Sequence, residues 1–279
     1  MRSPLPLALL AFAVGRLTAA RAAEPASDGT EEQVVAAELE EIQEDPTIIK
    51  PRIWLDTEWN KFKDGSSNIQ PTAAELWSWR ISSNQDWGVR LKVPLVIHVA
   101  GNDPGDSDAQ GLGDIKLAAG TAYRVSETWR AGGGLEMRFP SATRDDLGTD
   151  VWRLQEFGTI AWDATPWLVL SPTAEYNQSV AREHGGAPQH YLEMYLPATV
   201  LLPRRWSVTP RYEAKINFQD DNRWANSGKL TLAKMLDSVP IGFAVSIKKT
   251  FDGGDKEFQF NFITTYYFLA TRHSHTEAR

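Results

Sequence analysis

The sequence predicts an all-β chain that forms a transmembrane antiparallel up-and-down β-barrel of about twelve strands. Residues 115–125 and 129–139 each alternate apolar residues with charged or very small ones, so each would form a strand with one apolar face. Each has about 10–12 residues, close to the ~9–11 that a tilted strand needs to cross a bilayer. Short turns alternate with mostly longer polar connections along the chain, which is typical of outer-membrane barrels.

Twelve strands of this kind can be placed from Pro51 onward. They cover residues 52–62, 72–82, 86–98, 113–125, 128–139, 151–163, 167–178, 189–202, 206–218, 227–236, 240–251 and 256–269. Connections after the even-numbered strands are short, and those after the odd-numbered strands are mostly longer, at 99–112, 140–150, 178–189 and 219–227. An even number of strands places both termini on the side of the short turns, which is periplasmic in barrels of this class.

Four tryptophans each open a strand directly after a short turn, at positions Trp87, Trp129, Trp167 and Trp206. Their spacings of 42, 38 and 39 residues correspond to one hairpin each. A β-propeller repeats near this period as well, but each blade packs four short strands into that length, whereas this chain has room for two long ones. The pattern therefore predicts an aromatic girdle at the periplasmic membrane interface.

The sixth and seventh strands have the least regular alternation. Phe157 and Ile160 fall in opposite phases, so these two apolar residues cannot both face lipid in a regular strand. Trp167 is out of phase with Leu168 and Leu170, which predicts a β-bulge near this point. The last strand has a regular phase, which runs Phe258, Phe260, Phe262, Thr264, Tyr266 and Phe268.

The N-terminus has the features of a signal peptide that spans residues 1–22. A basic residue, Arg2, precedes an apolar stretch at 5–14, and Ala20-Arg21-Ala22 is a suitable cleavage site. The mature protein would then be exported through the inner membrane and inserted in the bacterial outer membrane. The chain has no Cys, which excludes a disulfide framework, a thiolate metal site and a lipidated cysteine anchor.

Residues 23–50 are predicted to form an acidic periplasmic segment in front of the barrel. They carry nine acids and one Lys, and residues 31–44 have the apolar spacing of a short helix. The alternative is a solvated acidic linker. The barrel itself is assigned to residues 51–270 and a polar C-terminal tail to residues 271–279.

The stretch Gly111-Leu112-Gly113-Asp114, which runs into a strand ending at Tyr123-Arg124, resembles an outer-membrane β-barrel family. This family is named for the MetA-pathway of phenol degradation, and its members are regarded as transporters. The resemblance extends over most of residues 51–270 in hairpin rhythm and strand content. It implies a small outer-membrane barrel that admits hydrophobic or aromatic compounds, and it brings no catalytic residues.

The main functional candidate is the charged interior of the predicted barrel. The candidate pore-lining residues are Arg90, Lys92, Asp114, Lys116, Arg124, Arg130, Glu136, Arg138, Arg211, Glu213 and Lys215. An excess of Arg and Lys over Asp and Glu in a pore favours anions. The alternative is a salt-bridged ladder that fills a narrow barrel, because eight strands enclose only side chains whereas sixteen enclose an aqueous channel.

The sequence therefore predicts an outer-membrane channel or transporter for passive uptake of a small solute, which could be hydrophobic, aromatic or anionic. The alternatives are a structural or adhesin-like barrel and an outer-membrane lipid hydrolase. A hydrolase needs a Ser nucleophile within reach of a His, and His98 ends its strand in the inward phase without such a Ser. The prediction is thus a non-enzyme with no cofactor and no metal. Its partners would be outer-membrane lipid and the solute, and not nucleic acid; the oligomeric state is left open.

Overall fold

The computed structural model describes residues 45–100, 107–183 and 185–268. The predicted signal peptide, the acidic helix at 31–44 and the C-terminal tail lie outside these residues. Among the residues that the structure describes, no helix is long and apolar enough to cross a membrane.

Most of the described chain is β-strand, in the order β1 (Arg52–Phe62), β2 (Ser67–Ser82), β3 (Gln85–Val99), β4 (Ala109–Leu112), β5 (Lys116–Arg124), β6 (Trp129–Arg138), β7 (Val151–Thr165), β8 (Leu168–Leu170), β9 (Thr173–Arg182), β10 (His190–Leu202), β11 (Trp206–Asn217), β12 (Arg223–Met235), β13 (Ile241–Asp252) and β14 (Lys256–Tyr267). Short 3₁₀ turns lie at Asp145–Leu147 and Pro203–Arg205.

The strands form a single antiparallel sheet that closes on itself through the pairing of β1 with β14. β4 and β5 both pair with β3 and together make one barrel strand that is interrupted at residues 113–115. β8 and β9 likewise share β7 and β10 as neighbours and are interrupted at Ser171-Pro172. The barrel thus has twelve strands, which confirms the predicted fold class.

The outward positions of the strands form an apolar belt. Large exposed apolar side chains include Leu55, Ile97, Leu135, Ile160, Leu230, Ile247 and Phe260. At the end of the barrel with the short turns, Trp129 stacks on Trp162 with ring centroids 5.5 Å apart. The outward Trp residues that follow the short turns are exposed, as expected for a membrane-interface girdle.

Three predicted details of the strands need correction. The β-bulge was predicted near Trp167, but it lies between Asp163 and Thr165 at the end of the preceding strand, β7. β2 begins at Ser67 and β12 at Arg223, so the long connection predicted at 219–227 is a short one of residues 218–222. The inward residues at these strand ends, such as Asn68 and Gln70, are polar, and the sequence there shows no apolar alternation that would separate strand from loop.

Candidate functional site in the barrel interior

The side chains that alternate with the apolar belt face the barrel interior, called the lumen below, and many of them are charged. Inward cations on the strands include Arg52, Arg90, Lys92, Lys116, Arg138, Arg153, Arg211, Lys215, Lys229 and Lys248. Inward acids include Asp56, Glu58, Glu136, Glu175, Glu193 and Glu213. The lumen wall is therefore strongly charged, with cations in excess among these positions.

Four of the cations form a continuous row across neighbouring strands, which we call the first basic row. Lys92 lies directly opposite Lys116, Lys116 opposite Arg138, and Arg138 opposite Arg153. Like charges in directly opposed positions of a sheet are destabilising. Sequence reasoning identified the first three and missed Arg153, although its alternation with Gln155 and Thr159 in β7 indicates an inward position.

Buried acids offset part of this charge. Arg90 donates to Glu136, with Nη2 and Oε2 2.7 Å apart, and Glu136 is only 4% exposed. Arg138 Nε lies 2.9 Å from Asp114 Oδ2, and Arg153 donates to the hydroxyl of Tyr191. The two lysines of the row differ from the arginines, because neither has an ion pair or a hydrogen bond within the described part of the chain.

A second basic row lies on strands β11 to β13. Arg211 is opposite Lys229, and Lys229 is opposite Lys248. Glu213 is buried at 5% exposure and accepts from Arg211, Lys248 and the hydroxyl of Ser227. Sequence reasoning found Arg211 and Glu213 and missed both lysines, because no phase was assigned to the strands that carry them.

Lys215, the remaining predicted residue on β11, is not part of either row. Its ammonium lies 3.5 Å from Glu193 Oε1 and 3.6 Å from the centre of the Tyr191 ring. It is therefore held against β10 by an ion pair and a cation–π contact.

The chain segment before β1 lies inside the barrel at the end with the short turns. We call residues 45–50 the inner segment. Arg130 binds it through Asp45, with Nη2 and Oδ2 2.9 Å apart, and through Thr47, with Nε and Oγ1 3.1 Å apart. Arg130 also forms an ion pair with Asp163 on β7 at 2.6 Å. The predicted pore-lining residue Arg130 thus holds the inner segment against the wall.

Apolar contacts fix the inner segment further along. Ile48 packs in a buried cluster with Met235 and Tyr267. Beside the segment, a cavity of about 140 Å³ is lined by Arg80, Asp86 and Arg124, among others, which places the predicted residue Arg124 at this end of the barrel. The inner segment therefore contacts β6 on one side of the mouth and β12 and β14 on another, so it narrows the mouth.

The opposite end, which carries the longer loops, is narrowed by the loop between β6 and β7. Its Leu147 is buried against Ala109 and against Val96, which is an inward residue of β3. Asp114 anchors the same loop by accepting hydrogen bonds from the backbone N–H and the hydroxyl of Thr149, at 2.9 and 2.8 Å. Asp114 therefore serves both Arg138 and the fold of this loop.

An aromatic side chain occupies the lumen between the two ends. Phe157 is inward, and its ring lies over the glycines at positions 120 and 134 of the neighbouring strands. A Cβ atom at Gly134 would lie 2.8 Å from the Phe157 ring and 2.2 Å from the carbonyl oxygen of Ala119. The inward glycines thus accommodate Phe157 and the close approach of the strands, which explains the opposite phases of Phe157 and Ile160.

We expect Gly134→Ala to destabilise the barrel by about 1–3 kcal/mol, the usual cost of overpacking, because backbone atoms and not only a flexible side chain would have to shift. Gly158→Ala is the matched control, since a Cβ there meets nothing within 4 Å, and its effect should stay within about 0.5 kcal/mol. Urea unfolding of the micelle-embedded barrel, followed by Trp fluorescence, measures both. Equal unfolding midpoints for the two variants would contradict this account of Gly134.

The described residues contain no group of three or more His, Asp or Glu side chains placed to hold a metal ion. Several buried side-chain oxygens in the lumen, however, have no hydrogen-bond partner in the protein, including those of Asp56, Asn60 and Asn261. Such groups are satisfied by solvent or a bound solute.

No family model matches the chain, and no curated protein matches it in sequence. Among solved structures, the chain is similar to the COG4313 outer membrane channel from Pseudomonas putida F1, with a TM-score of 0.68 and 13% identity over 79% of this chain and 96% of that one. It is also similar to the NanC porin (TM-score 0.53, 12% identity, 78% and 100% of the chains) and the KdgM porin (TM-score 0.51, 10% identity, 78% and 99%).

At these identities the similarity establishes the fold, which is that of an outer-membrane β-barrel. The chain spans nearly the full length of all three neighbours. The resemblance to the MetA-pathway family in particular stays a prediction, because no family model matches.

Proposed function

We propose that this protein is an outer-membrane channel for the passive passage of small anionic solutes. The observation that carries the proposal is the first basic row, in which four cations lie side by side across the lumen wall. The solved neighbours support the channel role, since one is called an outer membrane channel and the others porins. Outer-membrane lipid would surround the apolar belt, and residues 1–22 would direct export.

The first basic row costs the protein some stability. Directly opposed like charges reduce the stability of a sheet, and an apolar or neutral lining would avoid that cost. A row of cations in a narrow lumen creates a positive potential that attracts anions and excludes cations. The second basic row, on strands β11 to β13, extends the same potential to another part of the wall.

The narrow ends of the barrel define how passage would occur. The inner segment and the loop of Leu147 restrict the two mouths, so a solute passes only when these segments move or when it is small. Selection would therefore act first by size at the mouths and then by charge in the lumen. The periplasmic side would be the end with the short turns, where the inner segment lies.

The test is single-channel recording of the mature protein in a planar bilayer, with a salt gradient across the membrane. We expect discrete conductance steps. We also expect a reversal potential whose sign shows that anions are more permeant than cations. Faster migration of the unheated protein than of the boiled protein on an SDS gel would verify that the barrel is folded. A reversal potential of the opposite sign would overturn the anion proposal, and silence from a demonstrably inserted, folded protein would overturn the channel itself.

A further inference from the structure

A cavity of about 100 Å³ opens inside the lumen between β1, β2, β3 and β5. The inward residues Trp54, Asp56, Gln70, Thr72, Lys92 and Lys116 contribute to its lining. A cavity of this size accepts a ligand of a few carbon atoms.

Two ammonium groups define one side of this cavity. Lys92 and Lys116 are directly opposed across β3 and β5, and neither has an ion pair or hydrogen bond among the residues at 45–100, 107–183 and 185–268. Two adjacent lysines without such a direct bond are a suitable site for one carboxylate, because each of its oxygens can accept a charge-assisted hydrogen bond. Such a ligand also relieves the repulsion between the two lysines.

Whereas the two lysines need a hydrogen-bond acceptor, Asp56 on β1 needs a donor. Its Oδ1 atom is buried and accepts no hydrogen bond from the protein, although the carboxylate interacts electrostatically with Lys92. The other acid of this cavity, Glu58, is already engaged by Lys256 at 3.0 Å and by Asn60 at 2.6 Å. Asp56 therefore calls for a donor from the ligand, and a hydroxyl group meets this need without adding charge.

The ring of Trp54 supplies an apolar wall beside the polar groups. Trp54 and Lys92 lie in one register row on either side of Ala74, whose small side chain leaves space between them. A ligand held by the lysines can thus place its C–H groups against the indole ring. The cavity thus combines a carboxylate site, a hydroxyl acceptor and an apolar wall inside the lumen.

We propose that this cavity binds a small 2-hydroxy carboxylate of the size of lactate. The carboxylate lies between Lys92 and Lys116, the hydroxyl donates to Asp56 Oδ1, and the carbon chain contacts Trp54. This inference deepens the proposed anion channel and rests on it for its role, since it identifies which anion the lumen retains on its way through.

The test compares lactate with propionate, which has the same carboxylate and chain length and lacks the hydroxyl. Isothermal titration of the folded, full-length mature barrel in detergent micelles measures both. We expect lactate to bind about tenfold or more tightly than propionate, because only lactate offers a hydrogen-bond donor to the buried Oδ1 atom of Asp56. Equal affinities, or no binding of either acid, would overturn the proposal.

Two variants test separately the hydroxyl contact and the carboxylate contact of the site. Asp56→Ala should reduce lactate binding to the level of propionate without weakening propionate, whereas Lys92→Gln should weaken both acids. Lys249→Gln is the matched control. Lys249 lies opposite the outward residue Phe258, so this substitution removes the same charge at a position outside the lumen. Lactate discrimination that survives Asp56→Ala would reject the assigned hydroxyl contact.

The binding assay is independent of conductance, so the two proposals can fail separately. If the barrel prefers lactate to propionate but does not conduct in bilayers, the binding site is supported and the channel is rejected. Conductance with anion preference but without lactate discrimination would retain the channel and reject this site.

Discussion

Replacing Arg130 with Met is expected to raise the single-channel conductance several-fold by releasing the inner segment from the barrel mouth. Arg130 is the shared partner of Asp45 in the inner segment and Asp163 in the wall, and Asp45 is 3% exposed. Removing one partner of a buried ion pair costs about 3–5 kcal/mol, because it leaves an uncompensated charge in a poorly solvated place. Asp45 can escape this cost by moving into water.

The wall of the barrel should survive this change. β6 keeps its full ladder of pairs with β5 and β7, whereas Arg130 and the packing of Ile48 are attachments of the inner segment. The free-energy penalty therefore falls on the attachment of the segment and not on the closure of the sheet. Asp163 remains in the wall near the solvent at 23% side-chain exposure, which lowers the cost of its lost partner.

Conductance in planar bilayers measures the effect, with Arg80→Met as the control. Arg80 lines the same end cavity but pairs with Asp86 on the wall, so its loss should leave the mouth narrow. Ile48→Asp tests the second attachment point and should act in the same direction as the Arg130 variant. If the Arg130 variant migrates as a folded barrel and conducts like the wild type, the inner segment does not limit passage.

The sequence predicted the barrel and the inward faces well because a single physical rule, the two-residue period of a strand, determines both. Lys92, Lys116 and Arg138 were assigned inward on this rule alone. Their direct opposition was not predictable, because register depends on turn geometry and bulges that the period does not report. Arg153 and Phe157 were missed or ambiguous for a related reason: β7 carries a bulge, and Phe157 is an apolar residue in an inward phase.

The narrowing of the barrel ends was beyond sequence reasoning for a different reason. The contact between Asp45 and Arg130 joins residues 85 positions apart, and nothing local in an acidic segment indicates that one of its carboxylates enters a barrel. Leu147 reaches Val96 in the same long-range manner from within a polar loop. Pairings of this kind depend on the closed barrel that brings their strands together.

The second large effect is expected from neutralising the two lysines of the first basic row. The double variant Lys92→Gln, Lys116→Gln should lower the preference for anions over cations by about tenfold at low salt. A unit charge about 4 Å from an ion contributes ~1 kcal/mol even in bulk water, and two such charges are removed. The reversal potential under a salt gradient reports the change, which should diminish as the salt concentration rises, because salt screens the charges.

The same double variant should be as stable as the wild type or more stable, by about 0.2–1 kcal/mol, because it removes directly opposed like charges without breaking an ion pair in the described residues. Arg90→Gln provides the contrast, since it deprives the buried Glu136 of its partner and should destabilise the barrel. If the double variant is more stable and less selective than the wild type, the first basic row serves anion selectivity and not the stability of the barrel. Loss of stability in the double variant, with selectivity unchanged, would instead assign these lysines to the packing of a filled barrel.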